Sequence, residues 1–164
     1  IRVSVGNRDG SSHLILQGVA RVELVETVRY RPYRVHRIKP LETVGSDSVA
    51  VDALSAKILE LVAERLEWGF DFPVHVLKQF GQLLDPQASE LGLSSLKDLI
   101  KYLVTIDNPD HLADLVTCTL ISNPVERQII LEAINLEERL KHLVHFLLAE
   151  NRRCKKSKKS SAPR

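Results

Sequence analysis

Methionine is absent from these 164 residues, cysteine occurs twice, and aromatics make up only 5% of the chain. Cys118 falls on a helical pattern and Cys154 in a polar tail, so no disulfide is expected and a reducing, cytoplasmic setting follows. No apolar run approaches the ~18 residues of a membrane-spanning helix. The chain opens at Ile1 on strand-like sequence, with neither an initiating methionine nor a secretory leader, and the true start of the protein is expected upstream. Nucleotide chemistry lacks its signature as well: no Gly-x-x-x-x-Gly-Lys-Ser/Thr loop is present to cradle phosphates. Nor is there a Gly-x-Ser-x-Gly elbow for a nucleophilic serine. Ser94 and Ser95 near Lys97 read as a helix cap beside a solvated lysine.

Histidine offers little more. His142 and His145 stand three apart on a helical pattern, but no cysteine or acidic cluster recurs at a spacing that would complete a metal site. They read as boundary residues beside the Leu140–Leu143–Leu147 stripe. His111 reads as a first-turn surface residue, and Cys118 as a small buried hydrophobe. The sequence therefore points to no catalytic residue, cofactor or metal.

What the chain does contain is helix starts. Asn108-Pro109, Asn123-Pro124 and Asn135 followed by Glu137-Glu138 each place a short polar acceptor just before an amphipathic run. The asparagine side chain takes up free N–H groups of the first turn, and proline at the first helical position loses no hydrogen bond there. Glu138, three residues after Asn135, completes the pattern of a capping box. Apolar residues then recur at helical spacing: Leu112, Leu115, Val116 and Leu120; Ile129, Ile130 and Ile134; Leu136, Leu140, Leu143, Val144, Leu147 and Leu148. Three further stripes precede them. The first runs Val51, Leu54, Ile58, Leu61, Val62 and Leu66. The second is Val76, Leu77, Phe80, Leu83 and Leu84, and the third Leu93, Leu96, Leu99, Ile100, Leu103 and Val104. The bundle therefore has about five or six helices.

The first 40 residues have the other period. Asp9-Gly10 signals a hairpin between Ile1–Val5 and His13–Gln17. Leu14-Ile15-Leu16 reads as a buried strand, and Gly18 as a bulge or bend. Ala20, Val22 and Leu24 alternate with Arg21, Glu23 and Val25, and Tyr33 and Val35 continue in a strand ending at Pro40. Glu42 to Asp47 reads as a polar hinge. Strands first and helices after define an α+β fold. The expected organisation is a β-subdomain over 1–41, incomplete at its start; a helical bundle over 47–151; and a disordered basic tail over 152–164. The net charge of +2 conceals this last division. Seven of the 23 basic residues lie from Arg152 onward with no acid among them, leaving 16 against 21 acids, a net of −5 for the body. The tail is expected to solubilise the chain or to attract polyanions loosely.

Two aromatic clusters stand out. Arg29-Tyr30-Arg31-Pro32-Tyr33-Arg34-Val35-His36-Arg37 interleaves arginines with aromatics. Strand alternation places Arg31, Tyr33, Val35 and Arg37 on one face and Tyr30, Arg34, His36 and Ile38 on the other. This composition suits single-stranded nucleic acid. It better suits a plain strand in which Tyr33 and Val35 pack inward and the arginines pair with Glu23 and Glu26, and it also suits a contact surface for acidic or aromatic protein partners. Trp68-Gly69-Phe70-Asp71-Phe72 concentrates aromatics in an expected loop, as a contact surface or as core closure between two helices.

The ordered set of blocks resembles one family. Leu16-Gln17-Gly18-Val19-Ala20-Arg21-Val22, then Ile106-Asp107-Asn108-Pro109 with Leu112-Ala113-Asp114-Leu115, then Asn135-Leu136-Glu137-Glu138-Arg139-Leu140 resemble the N-terminal substrate-binding domain of Lon ATP-dependent proteases over roughly residues 3 to 150. That resemblance implies a small PUA-like β-barrel or partial barrel followed by a helical bundle, and a non-catalytic module that recognises unfolded or damaged polypeptides for protein quality control. It further implies docking on a separate ATPase or protease, or self-association. The family's opening strands are missing here, residues 69–92 look like an added helical segment, and the Lys/Arg tail favours a stand-alone relative over a fragment. Candidate partner-binding residues are Val25, Arg29, Tyr30, Arg31, Tyr33, Arg34, Arg37, Trp68, Phe70 and Phe72. The competing reading is a PUA-like nucleic-acid-binding module that uses the arginine–tyrosine strand and the basic tail.

Overall fold

The computed structural model describes residues 3–6, 8–16, 18–45, 48–67 and 101–161. Four strands come first: β1 (Val3–Gly6), β2 (Ser12–Ile15), β3 (Arg21–Arg29) and β4 (Val35–Leu41). Four helices follow among the described residues: α1 (Val49–Glu67), α2 (Pro109–Leu120), α3 (Pro124–Glu132) and α4 (Leu136–Ser161), with a further helical stretch over 101–104. The fold is α+β, with its strands and helices segregated along the chain.

The strands form two antiparallel pairs, β1 with β2 and β3 with β4. Gly10 at φ +83 turns the first, and Asp9 Oδ1 accepts from Ser11 N at 2.9 Å. The strand expected to be buried is not: Leu14 and Leu16 are exposed, because a two-stranded ribbon has no second layer to cover it among the described residues.

The helices bury what the periodicity placed on one side. Val51, Ile58, Leu61 and Val62 of α1 meet Leu112, Val116 and Leu120 of α2, Ile130 of α3, and Leu136, Leu140, Leu143 and Leu147 of α4 in one continuous core, with Leu103 joining it. At ~1.5–3 kcal/mol per fully buried aliphatic side chain, this core outweighs anything the ribbons contribute. The second predicted stripe lies outside the described residues, as does the third up to Ile100; of its remainder, Leu103 is buried and Val104 exposed.

All three asparagine caps form. Asn108 Oδ1 accepts from Asp110 N at 2.9 Å and His111 N at 3.3 Å. Asn123 Oδ1 accepts from Val125 N at 2.9 Å, and Asn135 Oδ1 from Glu138 N at 3.1 Å. A fourth start, at Ser48, was not foreseen: its Oγ accepts from Val51 N at 3.2 Å.

Three further expectations change. The basic segment expected to be disordered from Arg152 continues α4 as helix to Ser161. Lysine and arginine are good helix formers, and extending an existing helix avoids the cost of nucleation. Ion pairs hold its first turn: Arg153 to Glu150 at 3.1 Å and Glu126 at 3.3 Å, and Lys155 to Glu64 at 2.7 Å. Cys118 is exposed instead of buried, on the outer side of α2. Its sulfur still lies against the helix, donating to the Leu115 carbonyl at 3.3 Å, and partial desolvation there raises the thiol above its ordinary pKa. The Glu42–Asp47 hinge is in part a clasp. Val44 bridges Asn135 in parallel, accepting from Leu136 N at 2.9 Å, and Gly45 adopts φ +81 with Asn135 Nδ2 3.4 Å from where a Cβ would stand.

Candidate functional site

Two places carry the polar and apolar features that the core does not absorb. One is an ionic hub where the β3–β4 ribbon meets the helices. The other is the outer face and tip of that ribbon.

The hub centres on Asp110, in the first turn of α2, where the helix dipole favours a carboxylate. Arg139 of α4, fully buried, donates to Asp110 Oδ1; its Nε donates to the Ala133 carbonyl at 2.9 Å and its Nη2 to that of Ile134 at 3.3 Å. Arg21, the first residue of β3, donates to Asp110 Oδ1 at 3.1 Å, to Asp114 Oδ1, and to the Leu131 carbonyl at 3.3 Å. Thr43 Oγ1 donates to Asp110 Oδ2 at 2.8 Å. Two guanidinium groups thus face two carboxylates and satisfy carbonyls at and just beyond the C-terminal end of α3, which have no partner within their own helix. Burial, and then the nearby Arg21 charge, lower the Arg139 pKa from the ordinary guanidinium range to about 10, so it remains a cation at neutral pH. Arg21, Asp114 and Arg139 are drawn from the very blocks that carry the family resemblance, and Asp110 lies between two of their runs. Sequence reasoning assigned none of them a site, because their convergence joins positions 21, 110 and 139.

The ribbon separates its residues sharply. Pairing sets Val22 opposite Pro40, Leu24 opposite Ile38 and Thr27 opposite His36 on one face. Arg21–Leu41, Glu23–Lys39, Glu26–Arg37 and Arg29–Val35 take the other. The run Leu24-Val25-Glu26 breaks strict alternation, and two bulges in β3 absorb the fault: the register shifts between Leu24 and Glu26 and again between Thr27 and Arg29, leaving Val25 and Val28 unpaired. The paired part of the first face is largely apolar and open to solvent. Relative exposure is 39% at Val22, 63% at Leu24 and 52% at Ile38, with the bulged Val25 and Val28 at 55% and 59%. The opposite face is charged and self-paired, with Arg37 on Glu26 at 2.8 Å and Lys39 on Glu23 at 3.9 Å.

The tip corrects one reading. Residues 31–33 form a bend containing a cis Arg31–Pro32 bond, and β4 begins only at Val35, so strand alternation does not reach Arg31 or Tyr33. Tyr33 is exposed, not packed inward, and the Arg29 guanidinium lies 4.8 Å from its ring centroid. Tyr30, Arg31 and Arg34 are exposed beside it. Of the candidate residues, the ribbon gathers Val25, Arg29, Tyr30, Arg31, Tyr33, Arg34 and Arg37, whereas Trp68, Phe70 and Phe72 lie outside the described residues. His142 and His145 are exposed on α4 and contact the Phe146 ring, 6.2 Å and 5.4 Å between centroids. Among the described residues, no helix is long and apolar enough to cross a membrane.

A β-ribbon tethered by charge to a capped helical body defines an α+β module whose unsatisfied surface is apolar and peripheral. The chain belongs to the ATP-dependent protease La (LON) substrate-binding domain family, whose profile it matches over residues 1–149. It is 29% identical over 135 residues to Lon protease 2 of Myxococcus xanthus, covering 82% of this chain and 14% of that protein. It is 31% identical over 143 residues to the Lon protease of Methylocella silvestris, covering 87% of this chain and 15% of the relative. A Lon protease of Phenylobacterium zucineum is 31% identical over 139 residues, covering 85% and 15%. The chain thus spans about 15% of the length of such relatives.

Proposed function

We propose that this module captures unfolded or damaged polypeptides on the open face of the β3–β4 ribbon, for protein quality control, and breaks no bonds itself. The supporting observation is that Val22, Leu24 and Ile38 share one face and are left in water, with Val25 and Val28 exposed at the adjoining bulges, on a member of a substrate-binding family. An apolar strip rimmed by charge is what a contact surface for other chains requires. An open strip of this kind favours weak, permissive binding over selection of one sequence. Captured chains would pass to an ATP-dependent protease, joined to the module or separate from it. Free thiols at Cys118 and Cys154 fit a cytoplasmic setting.

The test is titration of the 164-residue chain with a reduced, permanently unfolded protein and with the same protein folded. Preference for the unfolded form, lost in Leu24→Glu with Ile38→Glu, supports the reading; equal binding of both forms sinks it.

A second reading rests on the Arg29–Tyr33 stack and the exposed Tyr30, a pairing of cation and ring that also suits single-stranded nucleic acid. Retention of an oligonucleotide, falling steeply with salt, is its expected outcome.

A further inference from the structure

The ribbon's tip changes what kind of polypeptide its apolar face suits. Along the strands, charge is balanced across the pairs, Glu26 with Arg37 and Glu23 with Lys39. At the tip it is not. Arg29 ends β3 and lies against Tyr33, and Arg31 and Arg34 stand exposed with no acidic partner among the described residues. The surplus sits beside Val28 and Tyr30, the outermost apolar residues of the strip. Elsewhere the body before Arg152 carries a net −5, so an acidic chain is repelled from most of it and drawn either to this end or to the basic end of α4, and only the tip adjoins the apolar strip. Seven residues of β4 make the ribbon roughly 20 Å long, the span of about six residues of an extended chain.

From this charge pattern we infer the substrate class: an extended segment of about six mainly apolar residues, followed or preceded by a run of aspartate or glutamate. Its apolar part lies along Val22, Leu24 and Ile38 and the exposed bulge residues Val25 and Val28, and its acidic end meets Arg31 and Arg34. Each carboxylate–guanidinium contact forms in water and is individually weak, so the acidic run tunes preference while the apolar strip holds the chain. The inference rests on the polypeptide-binding reading above and adds a polarity to it.

Three labelled peptides test it on the full chain by fluorescence polarisation. They share one apolar six-residue core and differ in a flank of four aspartates, four serines or four lysines. The expected order is aspartate, serine, lysine, with the aspartate peptide about fivefold tighter than the serine peptide at low salt. The ratio should shrink as salt approaches ~0.5 M. In Arg31→Glu with Arg34→Glu, both at exposed tip positions, the aspartate advantage should vanish while the circular dichroism spectrum is retained. Equal affinity for the three flanks overturns the inference and leaves polypeptide binding standing. So does an unchanged ratio in the double variant. An oligothymidylate of matched charge that displaces the aspartate peptide at lower concentration than the peptide itself overturns it in favour of nucleic acid. If none of the three peptides binds, the polypeptide-binding reading falls with it.

Discussion

Arg139 is fully buried, and Asp110, on a different helix, accepts its hydrogen bond. A cation in that position has lost its water and depends on one carboxylate and two carbonyls. Such a pair is poor evidence of net stabilisation, yet breaking it from one side is costly because the other charge stays buried.

Asp110→Asn should therefore destabilise the chain by ~3–5 kcal/mol in urea unfolding. Asp114→Asn, which loses a contact to Arg21 through a half-exposed carboxylate, should cost under ~1 kcal/mol. Similar losses at both positions would mean that burial of Arg139 is not what matters.

Arg21→Met should act on the ribbon more than on the bundle. Arg21 is the ribbon's ionic link to α2 and reaches the end of α3. Amide exchange at Val22–Leu41 should accelerate at least about tenfold, with protection in α1 and α4 little changed. Uniform acceleration across the chain would refute a local tether.

Gly45→Ala should cost ~1–2 kcal/mol, because φ +81 penalises any Cβ and this one would stand 3.4 Å from Asn135 Nδ2. Gly10→Ala has a similar φ but open space around it, so the backbone penalty alone applies there. Thermal melts of the two variants separate the contributions.

The Glu64–Lys155 contact predicts an acid response. The hydrogen bond from Lys155 lowers the Glu64 pKa below 4.5. A carboxylate depressed in the folded state contributes stability that is fully present above its unfolded pKa and lost as pH falls through the folded one. This contact should thus weaken as pH falls below the ordinary glutamate range, and Lys155→Gln should move the Glu64 titration, followed by NMR, upward. An unmoved midpoint would show that Lys155 is not the cause.

The helical half was legible in the chain because its signals are local. Asn108, Asn123 and Asn135 each reach N–H groups two or three residues on, and an apolar stripe needs only its own period to be recognised. The same locality misled at the tail. A charge run from Arg152 looked unable to fold, whereas a helix already formed by Leu136–Leu148, with Glu64, Glu126 and Glu150 alongside, carries it to Ser161. The aromatic–arginine strand was read by alternation through Tyr33, but a bend at 31–33 resets the phase.

By itself, the sequence determined where helices begin, which of their faces is apolar and which family blocks occur in order, since each depends on neighbours within a turn or two. Only the tertiary structure decided that Arg21, Asp110 and Arg139 meet, and that the β3–β4 register leaves Val22, Leu24 and Ile38 on one open face, on the same ribbon as an arginine tip without acidic partners among the described residues. Those outcomes depend on register and on contacts between residues about 30 to 110 positions apart, and no local pattern encodes them.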